Sequence, residues 1–331
     1  MKKQSIRFHG TAPSPQCLGD AVLQGLTRRP RRISPKFFYD EEGSRLFDAI
    51  CDLPEYYPTR TEMGILQACA MELSGLIGKD ATLIELGSGA SRKIRLLLEA
   101  LRPRHYAGLD ISQAFLHDSV SRLARDYPWL ETHAVCADFS EEFDLPIFAE
   151  SERRVLFFPG STIGNFEPHD ALTLLQRLRR VAQPNGGLLI GVDLKKDPRI
   201  LHDAYNDSQG ITAAFNRNLL KRILRELGAT LNVDGFQHRA FYNGGPGRIE
   251  IHLVSRGRQD IHVLGRRFSF ERGDSIHTEN SYKYSIEQFH ALARAAGFHP
   301  RRVWTDSADL FSVHYLSSVP SKPHARIISR L

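Results

Sequence analysis

The chain has 331 residues, 41% of them apolar and 25% charged, enough to bury a sizeable core in one large domain or two intermediate ones and too apolar for extended disorder. No apolar run approaches the ~18 residues of a membrane span. Met1-Lys2-Lys3 leads into a mixed polar stretch rather than a secretory h-region, so a cytoplasmic protein is expected. The net charge of +6 raises the question of nucleic acid. Its densest run, Arg28-Arg29-Pro30-Arg31-Arg32, and scattered pairs such as Lys221-Arg222 and Arg301-Arg302 have no interleaved aromatic residues, which favours solvated surface over a nucleic-acid face.

Cys17, Cys51, Cys69 and Cys136 lie far apart without a C-x-x-C pair, so neither a disulfide framework nor a zinc knuckle is signalled. The histidines include no H-E-x-x-H. No metal is expected.

From residue 81 the sequence alternates as a parallel α/β sheet. A strand over 81–87 precedes a helix over 91–101, whose Ile94, Leu97, Leu98 and Leu101 form an apolar stripe. A second strand over 105–110 is followed by a helix opened by Ser112 as N-cap and closed before Pro128. The third strand covers 132–138. The fourth, 154–159, is apolar throughout Val155-Leu156-Phe157-Phe158 and reads as buried on both faces. The helix from Pro168 stops at Pro184-Asn185-Gly186-Gly187, and a fifth strand spans 188–193.

The next sheet-covering helix, 285–296, follows only after about ninety residues, far more than a βα connection takes. The excess predicts an inserted α+β domain, with helices over 199–206 and 212–227 and alternating strand-like segments over 248–253 and 261–270. Segments 301–304 and 311–315 close the chain as a strand pair.

In an open α/β sheet the ligand lies beyond the carboxyl ends of the strands, where strand order reverses. After strand one comes Glu85-Leu86-Gly87-Ser88-Gly89, a bare turn that lets the backbone approach a nucleotide-like ligand. The third glycine of a dinucleotide fingerprint is replaced by Arg92, which argues against NAD. Glu85 suits a cationic ligand better than a pyrophosphate. Asp110 ends strand two where ribose hydroxyls are held, and Asp138 with Phe139 is arranged to accept from an adenine amino group and cover its ring. Gly160 to Asn165 follow strand four, and Asp193 ends strand five. Singly, each reads equally as a capping acid or a tight turn. Together they favour an adenosyl cofactor, and S-adenosylmethionine carries the required positive charge.

The chain resembles the L-histidine Nα-methyltransferase family of ergothioneine biosynthesis from about Ser34 to Asp306. The likeness rests on Pro35-Lys36-Phe37-Phe38-Tyr39-Asp40, Leu53-Pro54-Glu55-Tyr56-Tyr57-Pro58-Thr59-Arg60, Glu85-Leu86-Gly87-Ser88-Gly89, Gly160-Ser161-Thr162-Ile163-Gly164-Asn165, Thr212-Ala213-Ala214-Phe215-Asn216 and Thr278-Glu279-Asn280-Ser281. It implies a Rossmann-like S-adenosylmethionine methyltransferase sheet (61–195 plus about 285–331) and a substrate-binding domain built from 1–60 plus about 196–284. Tyr39, Gly87, Lys93, Asp110, Asp138 and Phe139 match cofactor positions, Lys93 for the methionine carboxylate, and Gly89 belongs to the same turn. Asn165 and Tyr205 fall where the family grips the amino-acid carboxylate, with Tyr56, Glu279 and Ser281 around the imidazole and Gly160 and Thr162 on the same wall. Ile251 stands where the family pattern can carry methionine, a change of shape rather than polarity that leaves another aromatic or modified amino acid, tryptophan-like or thiohistidine, as an alternative substrate.

Methyl transfer to an amine needs no protein nucleophile; it needs a neutral lone pair about 3 Å from the methyl carbon and in line with the departing sulfur. An α-amino group titrates near about pH 8, so a proton must leave. Tyr39, Asn165 and a water are the candidate acceptors, with Tyr39 expected to orient the amine and share in proton removal. The resemblance implies three methylations of L-histidine, ending at the quaternary nitrogen of hercynine. Phe47 and Tyr39 offer faces for cation–π attraction, although Phe47 reads equally as core. A nucleic-acid methyltransferase is the weaker rival, since such enzymes often carry Asn/Asp-Pro-Pro-aromatic where this chain has Gly160-Ser161-Thr162. A non-catalytic cofactor binder is the other. A monomer with no membrane partner is expected.

Overall fold

A computed structural model describes residues 6–10, 15–78, 81–89, 91–143, 145 and 153–318. Met1-Lys2-Lys3, the side chain of Cys17 and the 319–331 end of the second predicted domain lie outside them. The first part of the chain forms β1 (Arg7–Gly10), α1 (Pro15–Thr27), β2 (Arg31–Arg32), α2 (Glu41–Cys51) and α3 (Tyr57–Ile77). The alternating region follows as β3 (Thr82–Leu86), α4 (Arg92–Leu101), β4 (His105–Asp110), α5 (Gln113–Asp126), β5 (Glu131–Cys136), β6 (Arg154–Phe158), α6 (Pro168–Ala182) and β7 (Gly187–Asp193). The insertion contains α7 (Pro198–Tyr205), α8 (Ile211–Leu227), β8 (Phe236–Asn243), β9 (Arg248–Ser255), β10 (Gln259–Val263), β11 (Arg266–Phe270) and β12 (Ser275–Tyr282). Then α9 (Ile286–Ala295), β13 (His299–Thr305) and β14 (Phe311–Ser317) complete the described chain.

Eight strands form one sheet in the order β1-β5-β4-β3-β6-β7-β14-β13, parallel from β1 to β7, with β14 antiparallel to β7 and β13 antiparallel to β14. This is a Rossmann-like α/β sheet. β3 and β6 are buried at every position because helices cover both faces, which is why their apolar runs are continuous rather than alternating. The chain runs outward from β3 to β5 and then returns to β6 beside β3. That reversal opens a crevice above the two strands. Among the described residues no helix is long and apolar enough to cross a membrane.

A separate apolar cluster joins Leu18, Val22, Leu26, Phe37, Phe38 and Tyr57 from the N-terminal part to Leu201, Phe215, Phe236, Ile251 and Phe270 from the insertion. It packs beside a four-stranded sheet of order β2-β12-β9-β8.

The structure departs from the sequence expectations in three places. β1 pairs in parallel with β5, so residues 7–10 join the large sheet and not the unit to which the range 1–60 assigned them. The single alternating segment 261–270 is a hairpin of β10 and β11, bent at Leu264 (φ 48°) and Gly265 (φ 72°). Two successive positive φ values make the tight turn that matches strand twist, and Leu-Gly is a weak signal for it beside Asn-Gly. Ser112 makes no side-chain cap for α5; its N–H donates to Asp110 Oδ1 at 2.9 Å.

Gly164 sits in the short 3₁₀ turn Thr162–Asn165 against β12, where a Cβ would lie 2.7 Å from the Tyr282 carbonyl oxygen. Gly164→Ala is expected to push that turn off the strand and lower stability by about 1–3 kcal/mol, read from urea unfolding. Unchanged stability would show that β12 yields at this contact.

Candidate active site

A cavity of about 890 Å³ opens at the carboxyl ends of the central strands and runs between the large sheet and the N-terminal aromatic residues. Of the residues singled out in the sequence, it is lined by Tyr39, Phe47, Tyr56, Gly87, Gly89, Lys93, Asp110, Asp138, Phe139, Gly160, Thr162 and Asn165.

Its first wall carries the turn after β3. Gly87 (φ +69°) and Gly89 (φ +47°) adopt backbone conformations that side chains disfavour, and the Phe139 ring lies beside Gly87. Asp110 Oδ2 accepts from Gly89 N–H at 3.0 Å, so the acid ending β4 and the glycine turn brace each other. Burial raises the Asp110 pKa while these backbone N–H bonds oppose the shift. Asp138 Oδ2 accepts from Lys36 Nζ at 2.8 Å and Oδ1 from Ser140 N–H at 2.9 Å; burial works against the charge, but these bonds hold the carboxyl below its usual range. Glu85 is almost inaccessible, accepts from Tyr106 Oη at 2.7 Å, and is pushed up to about 8 by burial. Burial disfavours its charge, so it is not the freely ionised acid expected from sequence.

Lys93 was expected to face a cofactor carboxylate. Its Nζ lies on that wall but pairs with Glu62 Oε2 at 2.5 Å. Glu62 has 0% exposure and also accepts from Gly160 N–H at 2.9 Å, tying α3, α4 and the loop after β6 together. Sequence reasoning missed Glu62. The signal was there: it shares the helical stripe of Pro58, Ile65, Leu66 and Cys69, a carboxylate at an apolar position.

The second wall is aromatic. Tyr39 packs edge-on against Phe47 and Phe215, each at 5.7 Å or more between centroids, and Phe47 meets Tyr56 at 6.4 Å. Phe47 thus faces the cavity and the apolar cluster at once. Gly160 and Ser161, with φ of +77° and +56°, turn the chain so that Thr162 and Asn165 reach the same space.

Tyr205, Ile251, Glu279 and Ser281 are not among the residues that line the cavity. Tyr205 packs edge-on against Tyr56 at 6.2 Å, and its Oη is 2.8 Å from Ser281 Oγ. Ile251 is 3% exposed and pairs with Glu279 across β9 and β12. A bulge between His277 and Glu279 inserts Thr278, whose Oγ1 donates to Asn216 Oδ1 at 2.8 Å and to the Ile251 carbonyl at 3.1 Å. Such a bulge re-aims the following side chain. Glu279 is near enough to Tyr39 and Tyr56 to add, after burial, to the rise of their phenol pKa values.

Two polar junctions escaped the sequence reading. Asp193 is bonded by Tyr57 Oη at 2.7 Å, Lys196 Nζ at 2.5 Å and Lys283 Nζ at 2.6 Å. Glu167, before α6, accepts from Arg32 at 3.0 Å, Arg248 at 3.0 Å and Asn280 at 2.9 Å, and from Tyr282 at 2.5 Å. Both join the large sheet to the smaller one through partners distant in sequence, which periodicity does not reveal.

Residues 18–318 match the family described as histidine-specific, SAM-dependent methyltransferases. The chain is 43% identical over 298 residues to the histidine N-alpha-methyltransferase of Mycobacterium tuberculosis, covering 88% of this chain and 92% of that protein. It is 42% identical to the protein of that name from Mycolicibacterium smegmatis, with the same coverage. It is 33% identical to ergothioneine biosynthesis protein 1 of Neurospora crassa over 87% of this chain and 33% of the longer relative.

Burial pushes Glu279 up to about 7 from 4.5, with Lys283 opposing. The folded state therefore keeps this proton where the unfolded state has lost it, and stability falls as pH rises from about 4.5 to about 7. Glu279→Gln is expected to remove that part of the decline, so the variant gains on the parent in urea unfolding at pH 8 relative to pH 5. Parallel pH profiles would refute the raised value.

Proposed function

The chain belongs to the histidine-specific, S-adenosylmethionine-dependent methyltransferase family, and from that premise we propose that it methylates the α-amino group of L-histidine three times, giving hercynine on the way to ergothioneine. One observation carries this reading: Gly87, Lys93, Asp110, Asp138 and Phe139 share a single cavity with Tyr39, Phe47, Tyr56 and Asn165. A site for a nucleoside and a site for a small zwitterion are then one space, as a direct transfer requires.

The residues present fit the donor. The positive-φ glycines leave the turn bare, Asp110 and Asp138 are acceptors on the same wall, and Lys93 adds a cation that reaches the loop after β6. S-adenosylmethionine, when bound, supplies an activated methyl group on a sulfonium. The protein's own part is to orient the amine, exclude water and admit loss of a proton.

Asn165 lines the cavity from the 3₁₀ turn and would hold the amino acid beside the first wall. Tyr39 is buried, and burial together with the nearby Glu279 lifts its phenol well above its ordinary value. That favours the neutral phenol, which would direct the amine lone pair. The Tyr39 and Phe47 rings would favour the nitrogen as it becomes a permanent cation. Glu279, pushed up to about 7, is suited to hydrogen-bonding the imidazole in either protonation state. Both walls come from one chain, so a monomer suffices.

Purified protein given the methyl donor should convert L-histidine to a product carrying three added methyl groups by mass spectrometry; histidine recovered unmodified would end the proposal. Tyr39→Phe is expected to lower kcat roughly tenfold, the worth of one oriented hydrogen bond, and to leave the shape of the pH–rate profile unchanged. A profile that loses a titration step would restore Tyr39 as the proton acceptor.

A further inference from the structure

Lys283 follows β12 and has 0% side-chain exposure, yet none of the chemistry above uses it. Its ammonium lies 2.6 Å from Asp193 Oδ2, 2.7 Å from Ser281 Oγ and 3.0 Å from Tyr205 Oη. An ammonium has three protons and accepts nothing. All three are committed.

Tyr205 Oη and Ser281 Oγ are themselves 2.8 Å apart, and each bears a single proton. If Ser281 donates to Tyr205, the phenol proton is left over; if Tyr205 donates to Ser281, the serine proton is. The spare proton cannot turn toward Lys283. In either arrangement the pair keeps one donor that Lys283 cannot take, and the Tyr205 ring meets the Tyr56 ring of the cavity wall. Lys196 and Lys283 share the Asp193 carboxylate, and Lys283 also favours the charged form of Glu279. A hydroxyl pair that only donates calls for an acceptor, and an anionic one binds it most strongly.

We propose that Lys283 is a positioning residue that fixes Tyr205 and Ser281 as obligate donors and thereby selects substrates bearing a carboxylate. The proposal deepens the histidine reading and rests on it, because it takes the carboxylate to lie at Tyr205. Lys283 touches neither substrate nor donor; it acts through the two hydroxyls. Lys196 serves as the internal comparison, since it binds Asp193 and Tyr57 Oη but reaches neither Tyr205 nor Ser281.

The test measures binding of L-histidine, L-histidinamide and histamine by calorimetry. The parent enzyme should prefer L-histidine to both analogues, whose carboxylate is replaced by a neutral amide or absent. Equal affinity of the parent for L-histidine and L-histidinamide overturns the proposal with no variant needed. Lys283→Met should weaken L-histidine roughly ten- to hundredfold, the range of a charge-assisted hydrogen bond, while changing histamine by less than about threefold and leaving S-adenosylmethionine binding unchanged. Lys283→Gln, which keeps a polar group in place but can also accept, should likewise lose the preference for the carboxylate. In kinetics the loss should appear in KM for histidine more than in kcat. Equal weakening of histidine and histamine, or a matching loss of discrimination in Lys196→Met, assigns the effect to packing or bulk charge and refutes the role. If the parent enzyme leaves histidine unmethylated in the mass assay, the failure lies with the substrate reading instead.

Discussion

Asp193 closes β7 with a carboxylate that is 1% exposed and bonded by Tyr57, Lys196 and Lys283. A buried charge is tolerated only when paired and fully hydrogen-bonded, and removing one partner leaves the others uncompensated. The pairing therefore constrains where three stretches of chain can lie: the start of α3, the segment after β7 and the end of β12. Burial raises the cost of the Asp193 charge, but the two lysines hold its pKa below the usual carboxylate range. The large sheet and the smaller sheet meet at this point.

Around that junction the cavity has two chemically distinct sides. The side built on β3, β4 and β5 presents backbone N–H groups, acids and Lys93, because parallel strands end at one level and their loops share it. The opposite side presents rings, because the segment from Pro35 to Tyr57 packs its aromatic residues against Phe215 of α8, with Tyr39, Phe47 and Tyr56 lining the cavity. Glu62 and Glu167 fasten the two sides at other heights. Glu62 holds Lys93 and the Gly160 loop, and Glu167 gathers Arg32, Arg248, Asn280 and Tyr282. One Glu62 oxygen is buried without a partner, packed where Gly191 leaves room, since a Cβ there would lie 2.0 Å from it. The absence of a side chain at residue 191 is thus a condition for the carboxylate that orders the first wall.

Legibility in the sequence followed the range of the forces involved. The segment 81–193 was readable because a strand buried on both faces is apolar without interruption and each covering helix repeats its apolar stripe every three or four residues. β6 and α6 are examples. The insertion announced itself by its length and its alternating segments, and its hairpin turn did not, since Leu264 before Gly265 is not the Asn or Asp that usually marks two successive positive φ values. β1 was missed because four residues with an exposed pattern carry no period. The strand-end acids were visible, but their partners were not: Lys36 for Asp138 and Gly89 for Asp110 come from elsewhere in the chain.

By itself the amino-acid sequence determined the parallel core, the bare glycine turn, the ordered set of strand-end acids and the motif blocks that carry the family likeness, because each depends on neighbours in the chain or on a short repeat. Only the tertiary structure decided that Lys93 rests on Glu62, that a bulge at Thr278 shifts the register so that Glu279 pairs with Ile251, and that Asp193, Tyr205 and Ser281 take all three protons of Lys283. Those are contacts between residues tens to hundreds of positions apart, or shifts of register set by pairing. Burial then raises an acid toward neutrality in one place, and pairing with Asp193 holds a buried lysine charged in another; both belong to the folded chain alone.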